Sequence, residues 1–224
     1  MTEQEWLECA DPKPMLEFLR GKAVERKLQL FVCAACRRHW PLLEDDRLRN
    51  AVESSERYAD DTVGHAEFAG VAAAVWPIVR PLPKHAAGYH VAWAAAWSTA
   101  PANRYFAENA SAYLLGDTGG MVRYLLKALG IVAARQDRLS QAGLLCDIFG
   151  NPFRLITVER TWLTPNVVAV AQSIYDERAF ERMLNLADAL EEAGCTHADI
   201  LAHCRGPGPH VRGCWVVDLL LGKE

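Results

Sequence analysis

The sequence predicts an all-α protein, a multi-helix bundle of about nine to eleven helices with little or no sheet. Two observations carry this prediction. Apolar side chains recur with the helical period along most of the 224 residues, and cap residues or prolines stand where these segments begin and end. Residues 151–163 lack the helical period, so we expect a non-helical connector there.

The N-terminal part begins with two short helices and one long apolar helix. Thr2 and Glu5 have the spacing of a capping box, and Asp11 followed by Pro12 is typical of a second helix start. Residues 24–43 are apolar on two faces. A helix that is apolar on two faces must be buried, which predicts that this segment is the central helix of the bundle.

The middle of the chain alternates polar and apolar helices. Residues 45–61 read as a polar outer helix, and the apolar helix after it is predicted to stop near Pro77. The next helix is rich in alanine and carries an aromatic stripe, defined by Tyr89, Trp93 and Trp97 at intervals of four residues. Such a stripe is typical of a core or, if exposed, of a protein interface. Pro101 predicts the start of another helix.

A glycine-rich break at residues 116–120 separates these helices from the C-terminal half. Residues 121–150 form one long helix or two, and Thr164 with Pro165 begins the next. Later helices are predicted at 178–194, 196–205 and 210–223. We expect a single helical domain over residues 1–224, with a possible subdivision near 116–120 or 151–163.

Composition excludes several classes of protein. The net charge of −4 provides no global field toward nucleic acid or an anionic membrane. No uncharged apolar run approaches the roughly 18 residues of a membrane span, and the acidic, polar N-terminus is not a signal peptide. The seven cysteines are scattered among helical patterns, which indicates reduced thiols. We therefore expect a cytoplasmic protein.

Long strings at both ends of the chain resemble one family. They are "EWLECADPKPMLEFLRGKAVERKLQLFVCAACRRHW", "LLCDIFGNPFR", "WLTPNVVAVAQSIYDERAF", "LADALEEAGC" and "DILAHCRGPGPHVRGCWVVDLLLGK". These strings are similar to a paralogous family of uncharacterised helical proteins expanded in planctomycete bacteria. The resemblance covers roughly residues 4–60 and 140–223, whereas 62–139 looks divergent. The stretch "LADALEEAGCTHADIL" is also similar to the repeat-companion domain of that lineage. The resemblance implies a bacterial, cytoplasmic protein with an interaction or regulatory role.

The richest candidate site is the C-terminal segment of residues 195–214, which reads C-x-H-x5-H-C-x5-H-x3-C. Zinc takes four Cys and His ligands, and the spacing of His210 and Cys214 suits two ligands on one helical turn. The best set of four is Cys195 or His197, His203 or Cys204, His210 and Cys214. Only one half of the pattern has good zinc spacing, however. We therefore predict no cofactor, and keep Cys195, His203, His210 and Cys214 as secondary candidates for zinc.

The same segment has two other interpretations. The leading one is a structural corner, in which its arginines pair with Asp188, Glu191, Glu192 or Asp218 and the corner docks the C-terminal helix. The other is a binding surface for an anion or a protein carboxylate, formed at the Gly-Pro-Gly-Pro turn. The candidate residues of that surface are Arg205, His210, Arg212 and Trp215.

Other patterns favour structural roles. Cys33 and Cys36 have redox spacing, but they lie inside an apolar helix rather than at a helix start after a strand. Residues 37–40 form a basic and aromatic cluster, but no nucleic-acid motif accompanies it, so we do not expect nucleic acid as a partner. The acidic run from Glu53 to His65 lacks metal-bundle spacing. Nucleophile elbows, phosphate loops and zinc-protease motifs are absent from the sequence.

These patterns lead to two functional hypotheses. The first is a non-enzymatic interaction or regulatory module of a bacterial cytoplasmic system, which contacts a protein partner through the aromatic stripe or through residues 205–215. The alternative is a zinc-supported protein or metal-dependent hydrolase that uses the cysteines and histidines of 195–214. We lean toward a protein that is not an enzyme, and we expect no membrane partner.

Overall fold

The computed structural model describes residues 1–20, 22–83, 88–99 and 135–223. Within these ranges the chain forms eleven α-helices and no strand, so the prediction of an all-α, multi-helix fold is confirmed. In chain order the helices are α1 (Glu3–Leu7), α2 (Pro12–Leu19), α3 (Glu25–Arg38), α4 (Asp46–Ala59), α5 (His65–Val79), α6 (Tyr89–Ser98), α7 (Arg135–Phe149), α8 (Pro165–Glu177), α9 (Met183–Glu192), α10 (Ala198–Arg205) and α11 (Trp215–Leu221).

Helix starts follow the cap residues of the sequence. The Glu5 amide donates to Thr2 Oγ1 at 3.2 Å, and the Thr2 amide donates to Glu5 Oε2 at 2.7 Å, which completes the predicted capping box. Asp11 and Thr164 each accept an amide hydrogen bond at the starts of α2 and α8. Residues 151–163 contain no α-helix, and their only regular element is a 3-10 turn at Arg160–Trp162.

The apolar helix ends near Pro77, as predicted: α5 includes Pro77 and ends two residues later at Val79. A proline lacks the backbone donor and disfavours the helical conformation of the residue before it, so helices often end close to one. The predicted helix start at Pro101 and the break at 116–120 lie outside the described residues.

The described residues fall into two compact units. Unit 1 contains Met1 and Cys9–Ala142, and unit 2 contains Thr2–Glu8 and Gly143–Glu224. The connector of residues 151–163 lies within unit 2. The single-domain organisation stays a prediction. No helix in the described ranges has both the length and the apolar composition that a membrane span requires.

Unit 1 is organised around α3 and α4. Helix α4 packs against α3, α5 and α6, and α3 also packs against α6. Residues 28–36 of α3 are all buried, in agreement with its two apolar faces. Cys33 and Cys36 are both buried in this core, as predicted, and burial raises the pKa of Cys36 to about 12. A thiol with so high a pKa is protonated at neutral pH, which disfavours nucleophilic chemistry.

Unit 2 packs α8 against α9 and α11, and α9 and α11 each against α10. Its buried core includes Trp162, Ile174, Leu186, Ile200, Val216 and Leu220. Helix α1 belongs to this unit although it opens the chain. The Trp6 side chain is fully buried, and its indole Nε1 donates to the carbonyl oxygen of Gly150 at 2.9 Å. Unit 2 is therefore assembled from both ends of the sequence.

Candidate metal centre

Four polar side chains of unit 2 meet at one point. Asp147 lies on the last turns of α7, His203 on α10, His210 in the loop between α10 and α11, and Cys214 at the N-cap of α11. Each offers one atom that can bind a metal, and these four atoms all lie within 4.8 Å of one another. The cluster therefore joins α7, α10 and the residues that lead into α11, and we call this candidate site the metal centre.

Local sequence explains why the two histidines face the centre. Cys204 and His203 are neighbours on α10, so their side chains point about 100° apart. Cys204 is buried in the apolar core, which turns His203 toward the loop. Gly208, with φ of +81°, bends that loop so that a Cβ atom there would lie 2.9 Å from the amide nitrogen of His210. Glycine thus allows the tight turn that returns His210 to α10.

The distances within the centre are short. Asp147 Oδ1 lies 2.8 Å from His210 Nδ1 and 3.1 Å from His203 Nε2. His203 Nε2 in turn lies 3.1 Å from Cys214 Sγ. One carboxylate oxygen and one thiol therefore converge on the same imidazole nitrogen. A tetrahedral zinc ion separates its nitrogen, oxygen and sulfur ligands by about 3.3–3.7 Å. To accommodate it, these close pairs would move apart, and ligand atoms as much as 4.8 Å apart would move closer together.

The centre is removed from solvent. The side chain of Asp147 is 2% exposed, that of His210 8% and that of His203 17%, whereas Cys214 is fully buried. Burying a carboxylate, two imidazoles and a thiol together is unfavourable unless their polar atoms are satisfied. A cluster of this kind therefore requires either a complete hydrogen-bond network or an ion at its middle.

Backbone groups orient two of the four ligands. The amide of Val211 donates to Asp147 Oδ2 at 2.9 Å, which leaves Oδ1 to face the centre. On His210, Nε2 lies 3.3 Å from the carbonyl oxygen of Gly206. A proton on Nε2 satisfies that carbonyl and leaves the lone pair of Nδ1 free for a metal. Such outer contacts are typical of protein metal sites, because they fix the ring orientation and the tautomer.

The protonation of the metal-free centre follows from its charges. Burial lowers the pKa of His210, but the hydrogen bond to Asp147 and the negative charge of its carboxylate outweigh burial, so the pKa is raised above its ordinary value. Burial, together with the charge of Asp147, raises the pKa of Cys214 well above its ordinary value. Without a metal the centre therefore holds a neutral thiol and favours a protonated His210.

Cys214, His203 and Asp147 could serve one of two kinds of chemistry, covalent catalysis by the cysteine or metal binding. A cysteine nucleophile needs an accessible thiol with a lowered pKa. Cys214 has the opposite properties, because it is fully buried and its pKa is raised. A metal ion removes that obstacle, since coordination deprotonates a thiol directly. The geometry therefore favours metal binding over covalent catalysis.

The structure brings together three of the four zinc candidates from the sequence, which are His203, His210 and Cys214. Cys195 is buried in the core of unit 2 and is not part of the centre. Its place is taken by Asp147, which the sequence analysis missed. A signal for it did exist, because Asp147 is the one charged residue in the apolar run "LLCDIF". A lone carboxylate in such a run must be buried with partners.

The other candidate residues of the C-terminal corner mostly have partners within unit 2. Arg205 Nη2 lies 2.5 Å from Glu191 Oε2 and 4.0 Å from Asp188 Oδ1, two of the acidic residues expected to hold the corner. The guanidinium of Arg212 lies 4.5 Å from the centroid of the Tyr175 ring. The Trp215 ring contacts the metal centre, with its centroid 5.1 Å from that of His203.

The aromatic stripe lies in unit 1 and packs against Trp76 of α5. The Trp76 ring is 6.0 Å from that of Trp93 and 4.8 Å from that of Trp97, and Tyr89 lies 6.0 Å from Trp93. The three stripe residues are half-buried. The stripe is therefore partly covered by its own unit, and its role as a protein interface stays a prediction.

The arginines of the basic cluster at residues 37–40 also have partners within unit 1. Arg37 forms two hydrogen bonds of 2.7 Å to Glu56 and lies over the ring of Trp40. Arg38 donates to Ser140 Oγ at 2.8 Å. These contacts hold the cluster within unit 1.

Comparison with protein-family models, with curated proteins and with solved structures found no match to this chain. The resemblance to the planctomycete family therefore stays a prediction. The function of the chain has to be argued from the metal centre and its surroundings.

Proposed function

We propose that unit 2 binds one zinc ion through Asp147, His203, His210 and Cys214, and that this ion supports a non-enzymatic interaction module. The observation that carries the proposal is the convergence of four ligand atoms within 4.8 Å from three separate segments. Chance pairing of buried polar groups gives pairs, whereas four groups around one point match the coordination number of zinc.

The chemistry of the four ligands favours zinc over other common ions. Calcium and magnesium take oxygen ligands, and the centre offers only one carboxylate. Imidazole and thiolate are ligands that suit zinc, and a tetrahedral set of mixed nitrogen and sulfur donors is typical of it. The outer contacts from Val211 and Gly206 support the same assignment. Each contact engages one polar atom of Asp147 or His210, so that the second atom, Oδ1 or Nδ1, faces the centre.

The burial of the ligands supports a structural role rather than a hydrolytic one. A catalytic zinc keeps one coordination position open for water or substrate. Here four protein ligands would complete a tetrahedral set, and Asp147, His210 and Cys214 have at most 8% of their side chains exposed. The ion would hold α7, α10 and the start of α11 together, which is the role of a structural zinc site.

A structural zinc leaves binding as the activity of the module. The partner we propose is a protein, and the large apolar side chains of unit 2 most open to it are Leu155, which is fully exposed, Leu7, which is 60% exposed, and Leu184, which is 56% exposed. The compartment we propose is the cytoplasm, because metal binding at the centre requires a reduced Cys214 and the cytoplasm keeps thiols reduced.

Metal analysis of the full chain, purified without a histidine tag, tests the centre. We expect about one zinc per chain in the native protein and almost none in Cys214→Ser or Asp147→Asn. Cys195→Ser is the matched control, because Cys195 is equally buried in unit 2 but lies outside the centre, and it should keep its zinc. A native protein without zinc, or equal zinc in Cys214→Ser and Cys195→Ser, would overturn the proposal.

Cobalt substitution separates the structural role from the hydrolytic alternative. Cobalt bound to Cys214 should give a thiolate-to-metal charge-transfer band that Cys214→Ser abolishes. Azide added to the cobalt protein should leave the spectrum unchanged, because a closed site has no exchangeable position. A spectrum that changes with azide would show an open position and would favour the metal-dependent hydrolase.

A further inference from the structure

Helix α1 packs on the turn of residues 150–154, which follows Asp147, and we call this turn the seat of α1. Helix α7 ends at Phe149, and Gly150 accepts the indole hydrogen bond of Trp6. The next residue, Asn151, donates from Nδ2 to Glu3 Oε1 at 2.7 Å, and Arg154 Nε lies 2.5 Å from the same oxygen. Contacts from Gly150, Asn151 and Arg154 therefore hold α1 just after the proposed ligand Asp147.

A second contact connects this seat to the metal centre. Gly150 has φ of +60° and lies beside the Trp215 ring. A Cβ atom at Gly150 would lie 3.0 Å from Trp215 Cγ and 3.1 Å from Cδ2. The Trp215 ring also contacts the ring of His203. Gly150 and its turn are thus held between Asp147 on one side and the Trp215–His203 pair on the other.

We infer that occupancy of the metal centre controls whether α1 stays seated on unit 2. This inference rests on the proposed function, since it requires a metal at the centre. An ion bound to Asp147 and His203 would hold the end of α7 and the Trp215 ring at fixed positions, and both define the turn that accepts α1. Without the ion, three segments that carry buried polar groups open more readily, and the turn opens with them.

Helix α1 should respond strongly to opening of this turn. It has only five residues, and an isolated helix of that length is unstable in water. Its stability depends on the burial of Trp6 and on the contacts of Glu3 with residues 151 and 154. Loosening the seat should therefore release α1 before it unfolds the larger helices of unit 2.

Hydrogen exchange of the full chain, with zinc bound and after chelation, tests the inference. We expect the amides of α1 to exchange at least about tenfold faster without zinc, whereas those of α4 in unit 1 should not change. Equal exchange of α1 in the two states, with zinc measured at about one per chain beforehand, would overturn the inference and leave the proposed function intact. A chain that contains no zinc would instead overturn the proposed function.

Three variants separate the seat from the ion. Trp6→Phe removes the hydrogen bond to Gly150, and Gly150→Ala places a methyl group against Trp215, so both should speed exchange of α1 while zinc content stays at about one per chain. Leu7→Ala is the control, because Leu7 lies on the same helix with 60% exposure and should leave exchange unchanged. If Trp6→Phe exchanges like the native protein with zinc bound, the seat described here does not hold α1.

Discussion

The two units bury polar groups in different ways. In unit 1, Arg37 presents two nitrogens to the two oxygens of Glu56, and the hydroxyls of Ser55 and Ser98 pair with each other at 2.9 Å. Each of these four side chains has a partner of its own. In unit 2, Asp147 Oδ1 is shared by two imidazoles.

This difference distinguishes structural pairs from a candidate site. A closed pair satisfies both members and leaves no donor atom for a ligand. A cluster that converges on one point leaves lone pairs directed inward, and an ion at that point satisfies all of them together. Predictions that act on one unit and spare the other therefore test the distinction.

Removal of zinc should have the largest effect, and the effect should be confined to unit 2. A ligand bound only by the folded state stabilises it by about 4 kcal/mol when its free concentration is about 1,000 times the dissociation constant. We expect the free energy of opening measured by hydrogen exchange to fall by about that amount for amides of α10 and α11 on chelation. The same quantity should not change for amides of α3. Equal loss in α3 would show that the ion does not act through unit 2.

Breaking the buried ion pair of unit 1 should have the next largest effect. Glu56→Gln leaves the charge of Arg37 without its counter-charge, and Glu56 has only 2% of its side chain exposed. We expect a loss of about 2 kcal/mol in the free energy of unfolding, less than for a fully buried pair because Arg37 is partly exposed. Urea unfolding measures this loss, and metal analysis should find the zinc content unchanged.

The exposed pair of Asp45 and Arg47 is the control for that variant. Asp45→Asn keeps the helix cap and removes only the charge, so we expect a loss below about 1 kcal/mol. A loss as large as that of Glu56→Gln would contradict the difference that we draw between buried and exposed pairs.

The pH dependence of unit 2 should reverse in sign when zinc binds. In the metal-free protein the raised pKa of His210 contributes stability that is present below about pH 6.5 and is lost as pH rises through the folded pKa. In the zinc protein stability should rise with pH, because coordination displaces protons from His210 and Cys214.

Urea midpoints between about pH 6 and pH 8, with zinc and with chelator, measure the two slopes. Zinc affinity itself should increase at least about tenfold per pH unit, since Cys214 alone releases one proton. Slopes of the same sign in both states would show that His210 is not displaced from its proton by the metal.

Loss of the surface pair at the C-terminal corner should have the smallest effect. Arg205 and Glu191 are both more than 40% exposed, so Arg205→Gln should leave the midpoint of urea unfolding nearly unchanged. The zinc content should not change, because neither residue belongs to the centre. Loss of zinc in this variant would show that Arg205 positions His203 and does not only form a surface ion pair.

Much of the fold was predictable because its signals are local. The capping box at Thr2 and the cap-proline starts at Asp11 and Thr164 each depend on residues within one helical turn. The end of α5 near Pro77 has the same origin, because proline acts on the backbone immediately around it. The burial of residues 28–36 followed from an apolar pattern on two faces, which also needs no distant information.

The metal centre was only partly predictable. His203, His210 and Cys214 lie close together in sequence, so spacing rules found them. The same rules favoured Cys195 as the fourth ligand, because they compare only neighbouring positions. Asp147 lies far earlier in the chain, on another helix, and its lone charge in an apolar run does not reveal which side chains it meets.

The sequence by itself determined the helices, their starts and their buried faces, since these depend on backbone hydrogen bonds and apolar periodicity over a few residues. Only the tertiary structure decided that Asp147 replaces Cys195 at the centre and that α1 belongs to unit 2. Both depend on contacts between segments far apart in the chain. Such contacts are set by how whole helices pack, and no local pattern contains that information.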